Sequence, residues 1–181
     1  MYIQRALSNT IIDKLKTSAK GVVIYGSRQA GKTTLSNKII KSLGLNTLAI
    51  NGDQNRFIDI LTSRDSKKIE SLVSDYEMLF IDEAQRIPEI GINLKIILDN
   101  FPSLKVLVTG SSSLDLASKI SEPLTGRVWN YRLFPISFSE LLSQHSKAEL
   151  LDFLEDRLIY GSYPEIFSIK SIQQKREYLQ N

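Results

Sequence analysis

Apolar and polar positions change period along this chain in a way that divides it into helices and strands. Leu7, Ile11, Ile12 and Leu15 recur three to four residues apart, with Asp13, Lys14 and Lys16 between them. This predicts an amphipathic helix from about Ser8 to Ala19, stopped by Gly21. Val22-Val23-Ile24-Tyr25 is apolar throughout, as expected of a parallel strand covered on both faces. After a glycine-rich turn from Gly26 to Gly31, Leu35, Ile39, Ile40 and Leu43 share one face of a second helix, and Gly44 supplies its stop. The alternation continues with a strand at Thr47 to Ile50, a mainly helical stretch with polar breaks from Phe57 to Val73, and a strand at Met78 to Ile81. A helix from Ile92 to Asn100 is closed by Phe101-Pro102, and Leu104 to Thr109 forms the fourth strand. Ser111 to Ile120 is predicted helical, and Arg127 to Leu133 is the fifth strand, ended by Pro135. Parallel neighbours need crossovers of about a dozen residues, so strands spaced by helices in this way predict an α/β fold with a largely parallel sheet.

From about Ser139 the pattern is helical alone, carried by Leu141, Leu142, Leu150, Leu151, Phe153, Leu154, Leu158 and Ile159. Gly161-Ser162-Tyr163-Pro164-Glu165 then makes a turn before a further helix. The expected division is a core over residues 1–137 and a small helical, lid-like annex over 138–181 that leads into a truncated further domain.

The chain has 181 residues, 42% hydrophobic and 24% charged, the composition of an ordinary folded domain. A net charge of +3 is too mild to argue for nucleic-acid binding, and no basic helix or aromatic-interleaved patch marks a docking face for it. With no cysteine and one histidine, His145, there is no disulfide framework, no thiolate or multi-histidine metal site and no cysteine nucleophile. His145 itself reads as a surface residue. The longest apolar runs are far shorter than the roughly 20 residues that span a bilayer, and the N-terminus lacks a signal-peptide core. The expected location is cytoplasmic.

Gly26-Ser27-Arg28-Gln29-Ala30-Gly31-Lys32-Thr33 matches G-x-x-x-x-G-K-[ST] in full, after a predicted strand and opening a predicted helix. Its glycines let successive N–H groups turn inward as an anion nest, reinforced by the positive end of the helix, and Thr34 extends that nest. Lys32 brings a point charge to the outer phosphates, and the Thr33 hydroxyl is a ligand for Mg2+, which takes oxygen donors. Met78-Leu79-Phe80-Ile81-Asp82-Glu83 places two carboxylates at the carboxyl end of a buried strand, where α/β sheets bind ligands. Asp82 is placed to hold the magnesium, and Glu83 to take a proton from an attacking water. Thr109 and Ser111 deliver hydroxyls to the same edge, where they orient water or phosphate or serve as ordinary turn residues. Arg127 precedes the fifth strand and is a candidate to reach a neighbouring subunit's γ-phosphate, or else a plain surface charge. Arg28 and Gln29 face phosphate or solvent, Arg5 and Tyr2 are candidates to pack near a base, and Trp129 and Tyr131 read as core or sheet face.

Together GSRQAGKTTL, MLFIDEAQRIPEIG, LKVLVTGSSS, EPLTGR, LFPISFSELL and YGSYPE resemble the prokaryotic AAA+ ATPases that join an ATPase domain to a C-terminal domain of unknown function. The resemblance implies a three-layer P-loop NTPase sandwich with sheet order 5-1-4-3-2. It implies ATP as nucleotide, Lys32 and Thr33 in Walker A, Asp82 and Glu83 in Walker B, Ser111 or Thr109 at the sensor position and Arg127 at the arginine-finger position. It also implies a homo-oligomer in which Arg127 acts in trans. The expected function is magnesium-dependent ATP hydrolysis that drives a conformational change in an attached domain or partner. The alternatives are a nucleotide-gated switch with negligible turnover and a P-loop small-molecule kinase.

Overall fold

The computed structural model describes residues 2–111, 123–152 and 154–180. Helix α1 (Leu7–Thr17) buries Ser8, Ile11 and Leu15 and carries Lys14 and Lys16 in its last turn, where cations suit the helix dipole. Strand β1 (Gly21–Gly26) runs into the phosphate loop, and α2 (Lys32–Leu43) starts at Gly31 (φ 91°) and stops at Gly44 (φ 66°). Strand β2 (Thr47–Asn51) follows. The stretch predicted helical from Phe57 to Val73 is two helices, α3 (Ile58–Leu61) and α4 (Ser66–Val73). The break is chemical: Arg64 has a positive φ of 54°, and the Asp65 carboxylate caps α4 by accepting from the Lys67 and Lys68 amides.

Strand β3 (Met78–Asp82) is buried along its whole length, and α5 (Ile90–Asn100) leads to β4 (Lys105–Ser111). The helix expected over Ser111 to Ile120 lies outside the described residues apart from Ser111, which ends β4. Edge strand β5 (Val128–Leu133) is followed by α6 (Phe138–Leu142), α7 (Lys147–Asp152), α8 (Leu154–Tyr160) and α9 (Ile172–Gln180). No described helix is long and apolar enough to cross a membrane.

All strand pairings are parallel, in the order β2-β3-β4-β1-β5. This is the expected order read from its other end. Alternate strand residues feed two cores, one on each face of the sheet. Val23, Ile50, Leu79, Ile81, Val106 and Val108 pack with α3, α4 and α5, whereas Val22, Ile24, Met78, Phe80 and Leu107 pack with α1 and α2. The result is three layers, and it explains why the strands read as uninterrupted apolar runs. A third, smaller cluster of Ile3, Ile136, Leu141 and Leu150 ties the N-terminal arm to the annex.

The register fixes the site. Gly26 pairs with Ser111, Ile81 with Val108 and Asn51 with Asp82, so the carboxyl ends of β1, β4, β3 and β2 share one edge. β4 enters between β1 and β3, and the crevice at such a reversal is where open α/β sheets bind ligands.

Candidate functional site

The phosphate loop is shaped by backbone constraints that its glycines meet. A Cβ on Gly26 would lie 2.4 Å from the Leu133 carbonyl oxygen, and Gly31 holds a left-handed φ of 91° as α2 begins. Gln29 also has a positive φ, 61°. Lys32 is 5% exposed, and its Nζ donates to the carbonyls of Gly26 (3.0 Å) and Ser27 (2.8 Å), curling over its own loop. Burial pulls the Lys32 ammonium below its ordinary pKa, and the charges of Glu83 and Asp82 push the other way.

Facing the loop, Asp82 at the end of β3 accepts a hydrogen bond from Thr33 Oγ1 at 2.8 Å through Oδ2. Its Oδ1 accepts from the buried Thr109 hydroxyl and, at 3.2 Å, from the Glu83 amide. Thr109 is thus occupied in orienting Asp82. Ser111 is placed beside Gly26, with its amide donating to Gln85 Oε1 at 3.2 Å. Glu83 adopts the left-handed conformation at φ 51°, ψ 43°, which costs a non-glycine residue about 1 kcal/mol or more. The turn aims its side chain toward the cavity. Gly52 permits this approach, since a Cβ there would lie 2.4 Å from the Glu83 carbonyl oxygen. Gly52→Ala is therefore expected to lower stability by about 1–3 kcal/mol, read from urea unfolding.

The cavity at this edge measures about 420 Å³, within the usual range for small-molecule sites. Gln29, Gly31, Lys32, Thr33, Thr34 and Glu83 line it from the phosphate loop and the tip of β3. Tyr2, Ile3 and Arg5 of the N-terminal arm, Ile136, and Pro164 with Glu165 of the annex complete the lining. Pro164 packs close over the loop: its Cγ would be 3.5 Å from a Cβ on Gly31. Arg28 is exposed and does not line the cavity, and neither do Ser27 and Ala30, whose contributions are backbone.

Arg127 stands apart. It immediately precedes β5, and its carbonyl accepts from the Gly21 amide at the amino end of β1. The β1–β5 register puts the length of a strand, about 17 Å, between it and Gly26. Its guanidinium grips Asp99 through two bonds of 2.7 and 3.1 Å. Within one chain it is not part of this site. His145, expected at the surface, is half-buried and lines a second cavity within the annex. Trp129 is partly exposed on the edge strand, with the Lys14 and Lys20 ammonium groups 4.7 and 4.9 Å from its ring centre.

Arg5 is the residue that sequence reasoning undervalued. It is 5% exposed, lines the cavity, and donates to the Ala30 carbonyl of the phosphate loop (2.8 Å), to the Phe134 carbonyl and to the Glu140 carboxylate (3.0 Å). Nothing local marks it, because Glu140 is 135 positions away.

Thr33 and Asp82 form a hydroxyl and carboxylate pair at the mouth of the phosphate loop, hard oxygen donors that fit a magnesium ion also held by phosphate oxygens and water. Among the described residues no group of three or more His, Asp or Glu side chains is placed to hold a metal by itself.

A family model for the AAA domain matches residues 18–142. The chain belongs to the AAA domain family. It is a nucleotide-binding P-loop ATPase domain by fold and motif. An uncharacterised protein of Methanocaldococcus jannaschii is 31% identical over 171 residues, covering 87% of this chain and 38% of the relative. Uncharacterised proteins of Mycobacterium bovis and Mycobacterium tuberculosis are each 35% identical over 174 residues, covering 94% of this chain and 36% of theirs. The chain therefore spans little more than a third of the length of these relatives. The structure of the Walker-type ATPase of Pyrococcus abyssi superposes with a TM-score of 0.64 at 15% identity, over 99% of this chain and 68% of that one, a likeness of fold.

Proposed function

We propose that this AAA domain binds ATP with magnesium and hydrolyses it to ADP and phosphate, coupling occupancy of the cavity to the helical annex. The observation that carries the reading is the convergence of Lys32, Thr33 and Glu83 on one cavity roomy enough for a nucleotide, with Asp82 bonded to Thr33 beside it. The phosphates lie on the loop amides and the α2 N-terminus, with Lys32 exchanging its two loop carbonyls for phosphate oxygens. Thr33 and Asp82 hold the magnesium ion, which neutralises charge on the phosphates. Glu83 accepts a proton as the water oxygen bonds to the γ-phosphorus, and the bond from that phosphorus to the bridging oxygen breaks, leaving ADP and inorganic phosphate. The nucleoside extends toward Tyr2, Ile3, Ile136 and Pro164. Coupling has a short physical route, since Arg5 joins Ala30 of the loop to Glu140 of α6.

Arg127 enters this scheme only from a second copy, after exchanging Asp99 for phosphate. Their pair is exposed, so the exchange is easy.

Phosphate release from magnesium-ATP, measured for wild type and Lys32→Ala over a range of protein concentrations, tests the reading. Lys32→Ala is expected to weaken ATP binding by about tenfold to a hundredfold, the worth of a charged hydrogen-bonding partner, and to abolish turnover. A rise in turnover per subunit with concentration supports action of Arg127 in trans; a flat profile argues against it. ATP bound tightly without phosphate release at any concentration would make the domain a nucleotide-gated switch, and phosphorylated products other than free phosphate would make it a kinase.

A further inference from the structure

Two residues beyond Glu83, the side chain of Gln85 folds back across the end of the sheet. The route is set by backbone: Glu83 is left-handed at φ 51°, and Ala84–Arg86 is a single 3₁₀ turn closed by the Arg86 amide donating to the Glu83 carbonyl at 2.9 Å. Gln85 is half-buried and bonds in two directions. Its Oε1 accepts from the Ser111 amide at 3.2 Å, and its Nε2 donates to Glu83 Oε2. The polarity of this arrangement is forced. A backbone N–H can only donate, so it must meet the amide oxygen, and the NH₂ is left to face the carboxylate. Gln85 therefore pins one oxygen of the Glu83 side chain to the backbone of β4.

We propose that Gln85 is a positioning residue for hydrolysis, holding the Glu83 carboxylate over the phosphate end of the cavity by anchoring it to Ser111 at the tip of β4. The inference rests on the hydrolytic reading given above. Glu83 lines the cavity, whereas Gln85 does not, so Gln85 acts through Glu83 and not on the nucleotide. A general base needs a fixed carboxylate within reach of its water, and the other hydrogen bonds of Glu83 among the described residues fix only its backbone, its amide donating to Asp82 Oδ1 and Thr109 Oγ1 and its carbonyl accepting from the Arg86 amide. Without Gln85 the carboxylate gains freedom about the side-chain bonds of Glu83. The Ser111 position of the sequence motif takes a second meaning here. Its amide anchors the clasp, and a shift of the β4 tip moves the base.

Two substitutions separate the two bonds. Gln85→Leu keeps approximate size and loses both; Gln85→Glu keeps an acceptor for the Ser111 amide but turns like charge on Glu83. Each is expected to lower kcat by about tenfold to a hundredfold, the range for a catalytic group displaced by an ångström or so, with ATP affinity changed less than about twofold. A double-mutant cycle discriminates positioning from general support of the fold. In a Glu83→Gln background, which has no base to orient, Gln85→Leu should lower the residual rate less than about twofold. An equal loss in both backgrounds, or wild-type kcat in Gln85→Leu, overturns the proposal. If Gln85→Leu fails to fold by circular dichroism, Gln85→Glu carries the same cycle. Absence of magnesium-dependent turnover from wild type overturns the hydrolytic reading and this proposal with it, whereas turnover untouched by either Gln85 substitution overturns this proposal alone.

Discussion

Replacing Glu83 by Gln is expected to lower ATP turnover by about a hundredfold to ten-thousandfold, the span attributed to a positioned general base, while ATP still binds. The substitution conserves volume and leaves the backbone bonds of residue 83 to Asp82 and Thr109 in place. It removes the one property the reaction needs there, a carboxylate able to take a proton from water. ATP affinity should hold, because the binding contacts come from the loop amides, Lys32, Thr33 and Asp82. Phosphate release at saturating ATP, with affinity followed by a fluorescent nucleotide analogue, checks both halves. Turnover at the wild-type rate would remove Glu83 from the mechanism and leave its left-handed backbone as a turn feature alone. Loss of binding together with turnover would instead show that the carboxylate shapes the phosphate end of the cavity, where its charge also bears on Lys32.

The residues legible in the sequence are those whose geometry is set within a few positions. Gly26 to Thr33 forms a phosphate loop because a buried strand ends, glycine permits close approach, and a helix begins, all within ten residues of chain. Asp82 and Glu83 were readable because four apolar residues before them define a strand that ends at a sheet edge. The motif resemblance, and not periodicity, supplied the strand order. What escaped depends on residues far apart. Arg5 reads as a residue to pack near a base, and its tie to Glu140 shows only once the chain brings that carboxylate to it; the Asp99 partner of Arg127 is 28 positions away. Gln85 is near Glu83 in sequence, but its role requires the tip of β4 and a left-handed turn that a glutamate seldom adopts. Gly52 carries no local signal either, since the need for a missing Cβ arises from the Glu83 carbonyl across the sheet. The break between α3 and α4 was visible only as polarity, because Arg64 is not a residue that announces a positive φ.

Arg5→Ala is expected to cost about 3–5 kcal/mol of stability, the penalty for breaking a buried ion pair and stranding its partner. Arg5 and Glu140 side chains are only 5% and 8% exposed. The Glu140 carboxylate also accepts from the Ala6 amide at 2.9 Å and the Ser137 amide at 2.9 Å, the latter completing a capping box on α6. Deleting the guanidinium leaves that charge without its counterion and leaves the Ala30 and Phe134 carbonyls without a donor. Unfolding in urea measures the loss, and by calorimetry it corresponds to about 2–4 °C per kcal/mol for a chain of this size. Its pH dependence identifies the cause. Burial pushes the Glu140 pKa up, but the hydrogen bonds from Ser137, Ala6 and Arg5, with the Arg5 charge, outweigh it and hold the carboxyl below its usual 4.5. A depressed carboxylate pKa contributes stability that is fully present above the unfolded value and is lost as pH falls through the folded one. The gap between wild type and Arg5→Ala should therefore be widest near neutral pH and narrow below about 4.5, as Glu140 protonates and no longer needs its cation. A gap independent of pH would assign the loss to the two carbonyls. Arg5→Lys separates these contributions further: it restores the charge, but its three N–H donors leave one nitrogen and cannot span the acceptors met by Nε, Nη1 and Nη2 of Arg5, so it should recover the pH-dependent part and leave the loop carbonyl of Ala30 or that of Phe134 unmet.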